Sequence, residues 1–340
     1  MLRSMKVTMR FVRWLPVLLF GAAPLFAETC TTQAAMDPTV RDGMIRAAEN
    51  IATLASANNA DGVKAQTMPQ FASDFSGIAG VMQRSASHLQ GAKFSPESVW
   101  LLDASSLRGD SQDAQFFCSL NRGASQTSFL IPSLPPGKYG LVVLNTVGVA
   151  EPWQVSLLMR ESAPGQWQLG GLFPRATTVA GHDGLWYWKT ARDYAAKKQA
   201  WNAYVYYSAA EQLLKPVSFV SSTHLDKLQE ERTKAAPPAL SSGVSAQQPL
   251  VIGDGKGTEV RVTSFGAENA PANGGLDVLA HVKADTALND PVASHARNAA
   301  AAKAIVAAYP ELRGAFRGVW IVSELPDGTT FVSEEPMTSL

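Results

Sequence analysis

The hydrophobic period of the first half of this chain changes after Pro96, and that change sets the fold class. Upstream, Val40, Met44, Ala47, Ala48, Ile51 and Leu54 recur at the three- and four-residue spacing of a helix face. Asp37 supplies a cap and Pro38 a first-turn proline, so a helix is expected over 38–57, ended by Asn58-Asn59. A second helical region is expected over 61–88, broken near Pro69. Downstream the pattern shortens to β-rich runs at 98–102, 115–120, 127–131, 139–145, 153–160 and 166–172. Gly, Pro, Ser and Asp separate them, with Pro135-Pro136-Gly137 and Ala163-Pro164-Gly165 as turns between neighbours. Helices first and a meandering antiparallel sheet afterwards is the α+β pattern.

The N-terminus points to export. Residues 1–27 carry Arg3, Lys6, Arg10 and Arg13 and no acid, then an apolar stretch from Trp14 to Phe26, then Ala27 and Glu28. A basic start, a short apolar run and a small residue at the boundary form a cleavable secretory signal. The run is shorter than the about 20 residues of a membrane span, and Pro16 and Pro24 interrupt it. Processing after Ala27 leaves a chain starting at Glu28, placed in the periplasm or outside the cell. No second long apolar span follows, so no membrane span is expected after cleavage. Removing the signal takes four of the 29 basic residues and none of the 29 acidic ones, which leaves a net charge of −4. With no long run of either sign, nucleic acid is excluded as the main partner. Export also permits a disulfide between Cys30 and Cys118, which would close a loop of 88 residues.

Two resemblances lie on the first half. The β-hairpin at 153–171 opens its second strand with Gln166 and Trp167 and carries Gly170 and Gly171 near its end. With the preceding helices it resembles the nuclear-transport-factor-2-like, or SnoaL-like, cone domain over about residues 35–175. That resemblance implies a curved antiparallel sheet with an interior pocket, which Asp74, His88 and Asp103 are the polar groups placed to reach. The segment Phe129 to Val143, with its Leu134-Pro-Pro-Gly-Lys-Tyr139 core, is similar to carboxypeptidase-regulatory-like β-sandwiches. Those are all-β, and the leading helices favour the cone.

The most specific spacing comes next. Tyr187, Ala191 and Tyr194, then Ala203, Tyr207 and Ala210, fall at the positions of one tetratricopeptide repeat, with Thr190 in place of the repeat's leucine. The small residues let two helices approach, and the aromatics fill the space between turns. A single copy buries too little surface to stand alone. The helix at 223–234, with Leu225 and Leu228 on one face, is expected to cover one side and the N-terminal sheet the other. Trp186, Trp188 and Trp201 crowd this hairpin and are the candidate binding residues for a protein or a small apolar ligand.

The remainder divides into a Pro-, Ser- and Ala-rich linker at 235–249 and a small α+β domain at 250–340. That domain has strands at 250–252, 259–264 and 276–282, a helix over 290–309 and a hairpin across Pro326-Asp327-Gly328. The organisation is therefore a signal at 1–27, a cone-like domain at 28–180, a tetratricopeptide-like hairpin with its covering helix at 181–234, the linker, and the C-terminal domain. No motif selects a catalytic, metal or cofactor site. Gly253-Asp-Gly-Lys-Gly-Thr258 lacks Walker spacing and reads as a hairpin turn, and Gly123-Ala-Ser125 lacks the second glycine of a nucleophile elbow. His88, His182, His224, His281 and His295 show no metal-ligand spacing, and Asp183 beside His182 reads as a helix cap. The expectation is a non-catalytic exported binding or scaffold protein without a cofactor. The alternative is a small-molecule enzyme of the cone class with an apolar pocket.

Overall fold

Asp37 accepts the Thr39 amide at 2.8 Å and starts helix α1 (Pro38–Ser56). Helices α2 (Ala60–Ala65), α3 (Pro69–Ser73) and α4 (Ser76–Leu89) follow, so the second helical region is in three pieces; Asp74 ends α3 and accepts from Ser76. The computed structural model describes residues 28–120, 125–240, 243–253, 259–270 and 275–340. The expected secretory signal at 1–27, residues 123–124 of the expected turn and residues 254–258 lie outside the described residues.

All six expected β-runs form, and they divide between two antiparallel sheets. The first, of five strands, runs β1 (Thr29–Thr32), β2 (Lys93–Asp103), β5 (Lys138–Val147), β6 (Trp153–Ala163), β7 (Gln166–Ala176). The second runs β10 (Val220–Ser222), β4 (Ser125–Leu134), β3 (Gln112–Leu120). The turn before β7 needs its glycine: Gly165 has φ of 75°, where a side chain would be strained. Strand β5 is apolar on both faces because it is covered twice. Val142 and Leu144 face α1 and α4 with Met44, Ile51 and Met82, while Tyr139 and Leu141 face the second sheet with Phe116, Phe129 and Ile131. Cys30 on β1 and Cys118 on β3 lie at disulfide distance, their Cα atoms 5.4 Å apart, so the pair links the two sheets. In the chain-entropy picture such a closure stabilises by about 4–5 kcal/mol.

After the short β8 (Thr178–Val179) and β9 (His182–Asp183), the hairpin forms as α5 (Gly184–Ala196) and α6 (Ala200–Leu214). A Cβ at Gly184 would lie 2.5 Å from Leu214 Cγ, so the glycine is what lets the helix ends touch. Ala191, Ala203 and Ala210 are fully buried, and Tyr187 and Tyr207 are buried beside them, whereas Tyr194 is half-buried and packs edge-on to Tyr206. Helix α7 (Thr223–Ala235) covers one side through Leu228.

The other side differs from expectation. The hairpin shares its apolar core with the C-terminal sheet, not with the N-terminal one. That sheet is ordered β11 (Leu250–Ile252), β12 (Val260–Ala270), β13 (Gly275–Lys283), β14 (Gly318–Glu324), β15 (Thr330–Pro336), with α8 (Pro291–Ala308) crossing between the parallel β13 and β14. Trp201 stacks on Tyr309 at 3.8 Å and meets Phe265 edge-on at 4.9 Å. Glu311 accepts the Trp201 amide at 2.7 Å, and the Asn202 amide group donates to the Glu311 carbonyl at 2.9 Å. The segment 235–249 follows this surface: Leu240 is buried and Val244 packs against the same cluster. Contact with the N-terminal sheets is made instead by the chain after α6, where Val217 and Val220 enter the inter-sheet core and β10 joins β4.

One consequence concerns cooperativity. Residues 181–340 should melt together, and the isolated stretch 183–235 should be largely unstructured by circular dichroism. Trp201→Ala should lower the unfolding free energy by about 3–5 kcal/mol. A variant that melts with the wild-type midpoint would contradict the shared core.

Candidate functional site

Asp183 accepts the Trp186 amide at 2.8 Å and caps α5, which fixes the directions of three aromatic residues in its first turns. His182 lies against Trp186, rings 3.7 Å apart and nearly parallel, so the His182-Asp183 pair serves stacking and capping. Tyr187 points inward, its hydroxyl donating to the Val179 carbonyl at 3.1 Å; burial pushes it up to about 12. Trp188 points to the opposite side from these, toward α7. Its indole N–H donates to Glu231 at 2.7 Å. Arg192, one turn further, lies 4.7 Å over the Trp188 ring and donates to both Glu231 oxygens, at 2.7 and 2.8 Å. The Arg192 and Trp188 donors hold the Glu231 carboxyl below the usual carboxylate range, and the bond to Glu231 raises Arg192.

This clamp fixes Trp188 as one wall of a cleft of about 410 Å³ between the N-terminal sheets and the hairpin. Trp100 and Val220 form the facing wall, and Leu185, Leu214 and Leu225 complete a mostly apolar lining. Thr127, Ser222 and His224 are its polar groups. Volume and lining fall in the range of small-molecule sites.

The three candidate tryptophans therefore separate. Trp188 lines the cleft, Trp186 is exposed at 38% outside it beneath His182, and Trp201 is buried against the C-terminal domain. The polar groups assigned to a cone interior do not gather either. Asp74 accepts the Ser76 amide and hydroxyl, His88 stacks on Trp153 at 4.4 Å, and Asp103 accepts the Ser105 amide at 2.9 Å. Between α1, α4 and the first sheet, Met44, Met82, Leu157 and Met159 fill the space. Of the other histidines, His224 lines the cleft, His281 lies 4.0 Å from Glu324 and His295 3.3 Å from Glu335. Among the described residues, no three His, Cys, Asp or Glu side chains assemble as a metal-binding group.

Sequence reading did not find Trp100, Arg192, Glu231 or His224. The four-residue step from Trp188 to Arg192 was a usable signal for a cation over an indole. Glu231, 43 residues from Trp188, left none. Comparison with family models, with curated proteins and with solved structures finds no match to this chain.

The clamp has a pH signature. Because the Glu231 carboxyl is held below its unfolded value, its contribution to stability is present above the ordinary carboxylate range and is lost as pH falls through it. Glu231→Gln should cost about 1–2 kcal/mol near pH 7. The gap to wild type should narrow in melts taken at progressively lower pH through that range. A gap that stays constant would show that charge at Glu231 does not matter.

Proposed function

We propose that this chain is an exported binding protein that takes a small apolar ligand in the cleft walled by Trp100 and Trp188. The observation that carries the reading is the rigid setting of Trp188. A surface tryptophan free to rotate would close over an apolar groove. Here the indole N–H is bonded to Glu231, Arg192 lies over the ring face, and two further hydrogen bonds tie Arg192 to the same Glu231 carboxylate. A preorganised aromatic wall lowers the ordering cost of binding. Thr127, Ser222 and His224 would orient a ligand by its few polar atoms. His224 is the one titratable side chain in the lining, and acid–base chemistry would call for a second group matched to it, so binding is the better reading. Export is supported by the basic-then-apolar start ending at Ala27, by the cysteine pair at disulfide distance, and by the lack of any long apolar helix among the described residues.

A neutral naphthylamine dye tests the cleft. It should quench tryptophan emission on binding, because Trp100 and Trp188 face the site. Leu185 is 53% exposed and can be changed with little cost to folding. Leu185→Gln should weaken dye binding about five- to tenfold through lost apolar contact. Dye affinity unchanged in that variant, or no binding to the wild type, would overturn the reading.

A further inference from the structure

A second cleft, of about 460 Å³, opens on the far side of the segment Leu214 to Val217. Its walls are the C-terminal end of α6, the last turn of α7 at Arg232, and β12. The lining differs from the first cleft in charge. Arg175, Lys215 and Arg232 contribute cations and Glu211 the one carboxylate. Glu211 is already committed, since it pairs with Arg232. Two cations are left over.

Neither has an anionic partner among the described residues. Arg175 reaches from β7 to the end of α6, where one guanidinium nitrogen donates to the Leu213 carbonyl and the other to Gln154 Oε1 at 2.6 Å. These acceptors are neutral. The carbonyl dipoles ending α6 offset part of the charge, as cations at helix C-termini commonly are. Burial still pushes the Arg175 guanidinium down to about 10. Lys215 closes α6 as its C-terminal cap residue, its backbone N–H donating to the Glu211 carbonyl, and it is half-buried. Two like charges held at one helix end, between walls of low dielectric, concentrate a positive potential in the cleft.

The remaining groups suit an anion. The Tyr204, Ser208, Ser218 and Ser264 side chains line the same space. Along β12, among the described residues, β11 pairs only with Val260, Arg261 and Val262, so the ladder on that side stops before Ser264, which lines the cleft.

We propose that this cleft binds a small oxyanion, a carboxylate or a phosphate, with Lys215 as its direct ion partner and Arg175 supplying field from behind. The proposal does not depend on the apolar cleft, and the two can fail separately. Hydroxyl groups and the outward nitrogens of Arg232 would complete the anion's hydrogen bonds. The Arg175 side chain, already anchored to Leu213 and Gln154, needs no movement to contribute.

The test is a thermal melt of the full mature chain at constant ionic strength, with inorganic phosphate in one series and succinate in another. At about ten times the dissociation constant, the matching anion should raise the midpoint by about 2–4 °C. A rise with phosphate alone identifies a phosphoryl ligand, with succinate alone a carboxylate ligand, and with both an undiscriminating oxyanion site. Among the described residues the Lys215 side chain makes no hydrogen bond or ion pair, so Lys215→Gln should fold normally and lose the rise, and Lys215→Arg should keep it. No rise in the wild type with either anion, or an equal rise in Lys215→Gln, would overturn the proposal.

Discussion

Ten of the fifteen residues of α6 are buried, and the rest of the structure is arranged to cover them. An amphipathic surface helix hides one stripe and leaves the opposite face to water. Helix α6 has no such face: Trp201, Ala203, Val205, Tyr206, Tyr207, Ala209, Ala210 and Leu213 are buried in succession around it. Each side then needs its own cover. Helix α5 supplies one through Ala191 and Tyr187, α7 a second through Leu228, and the C-terminal sheet with the turn leading into β14 a third through Phe265 and Phe316. Polar ends are met individually, by Glu311 at the first turn and by Arg175 at the last. A lone helical hairpin is stable here because three unlike neighbours cover it.

That arrangement also makes the clefts. The chain leaving α6 turns through Leu214, Lys215, Pro216 and Val217 and is held from two directions. Ser156 on the first sheet donates to the Pro216 carbonyl at 3.3 Å, and Val217 is buried between the two N-terminal sheets. One side of this short segment lines the apolar cleft and the other lines the cationic one. Leu214 lines the apolar cleft, Lys215, Val217 and Ser218 line the cationic one, and Pro216 borders both. The cysteine pair stands behind the apolar side. Cys118 is the ladder partner of Thr127, a lining residue, and Cys30 lies two places from Thr32, the partner of Trp100.

Local signals in the sequence translated directly into structure. The caps Asp37, Asp183 and Asp290 each accept the amides expected of them. The spacing of Tyr187, Ala191, Ala203 and Tyr207 produced two close-packed helices. Each β-run bounded by Gly or Pro became a strand. What could not be read was which surface meets which. The Trp201–Glu311 bond joins residues 110 apart, and the Trp188–Glu231 bond residues 43 apart. No period or motif carries such pairings. A clue to the docking of α6 was nonetheless present. A run of Trp201, Ala203, Val205, Tyr206, Tyr207, Ala209 and Ala210 with almost no polar position calls for more than one partner surface. The N-terminal sheet alone would have left a side of it wet.

The account turns on α6 and the C-terminal sheet forming one core. Native-state hydrogen exchange measures this most directly, because amides in one cooperative unit open with the same free energy and the same denaturant dependence. Amides of residues 205–210 in α6 and 278–282 in β13 are expected to exchange together, at the highest protection in that half of the chain. Exchange of the α6 amides at markedly lower protection, with β13 remaining protected, would contradict it.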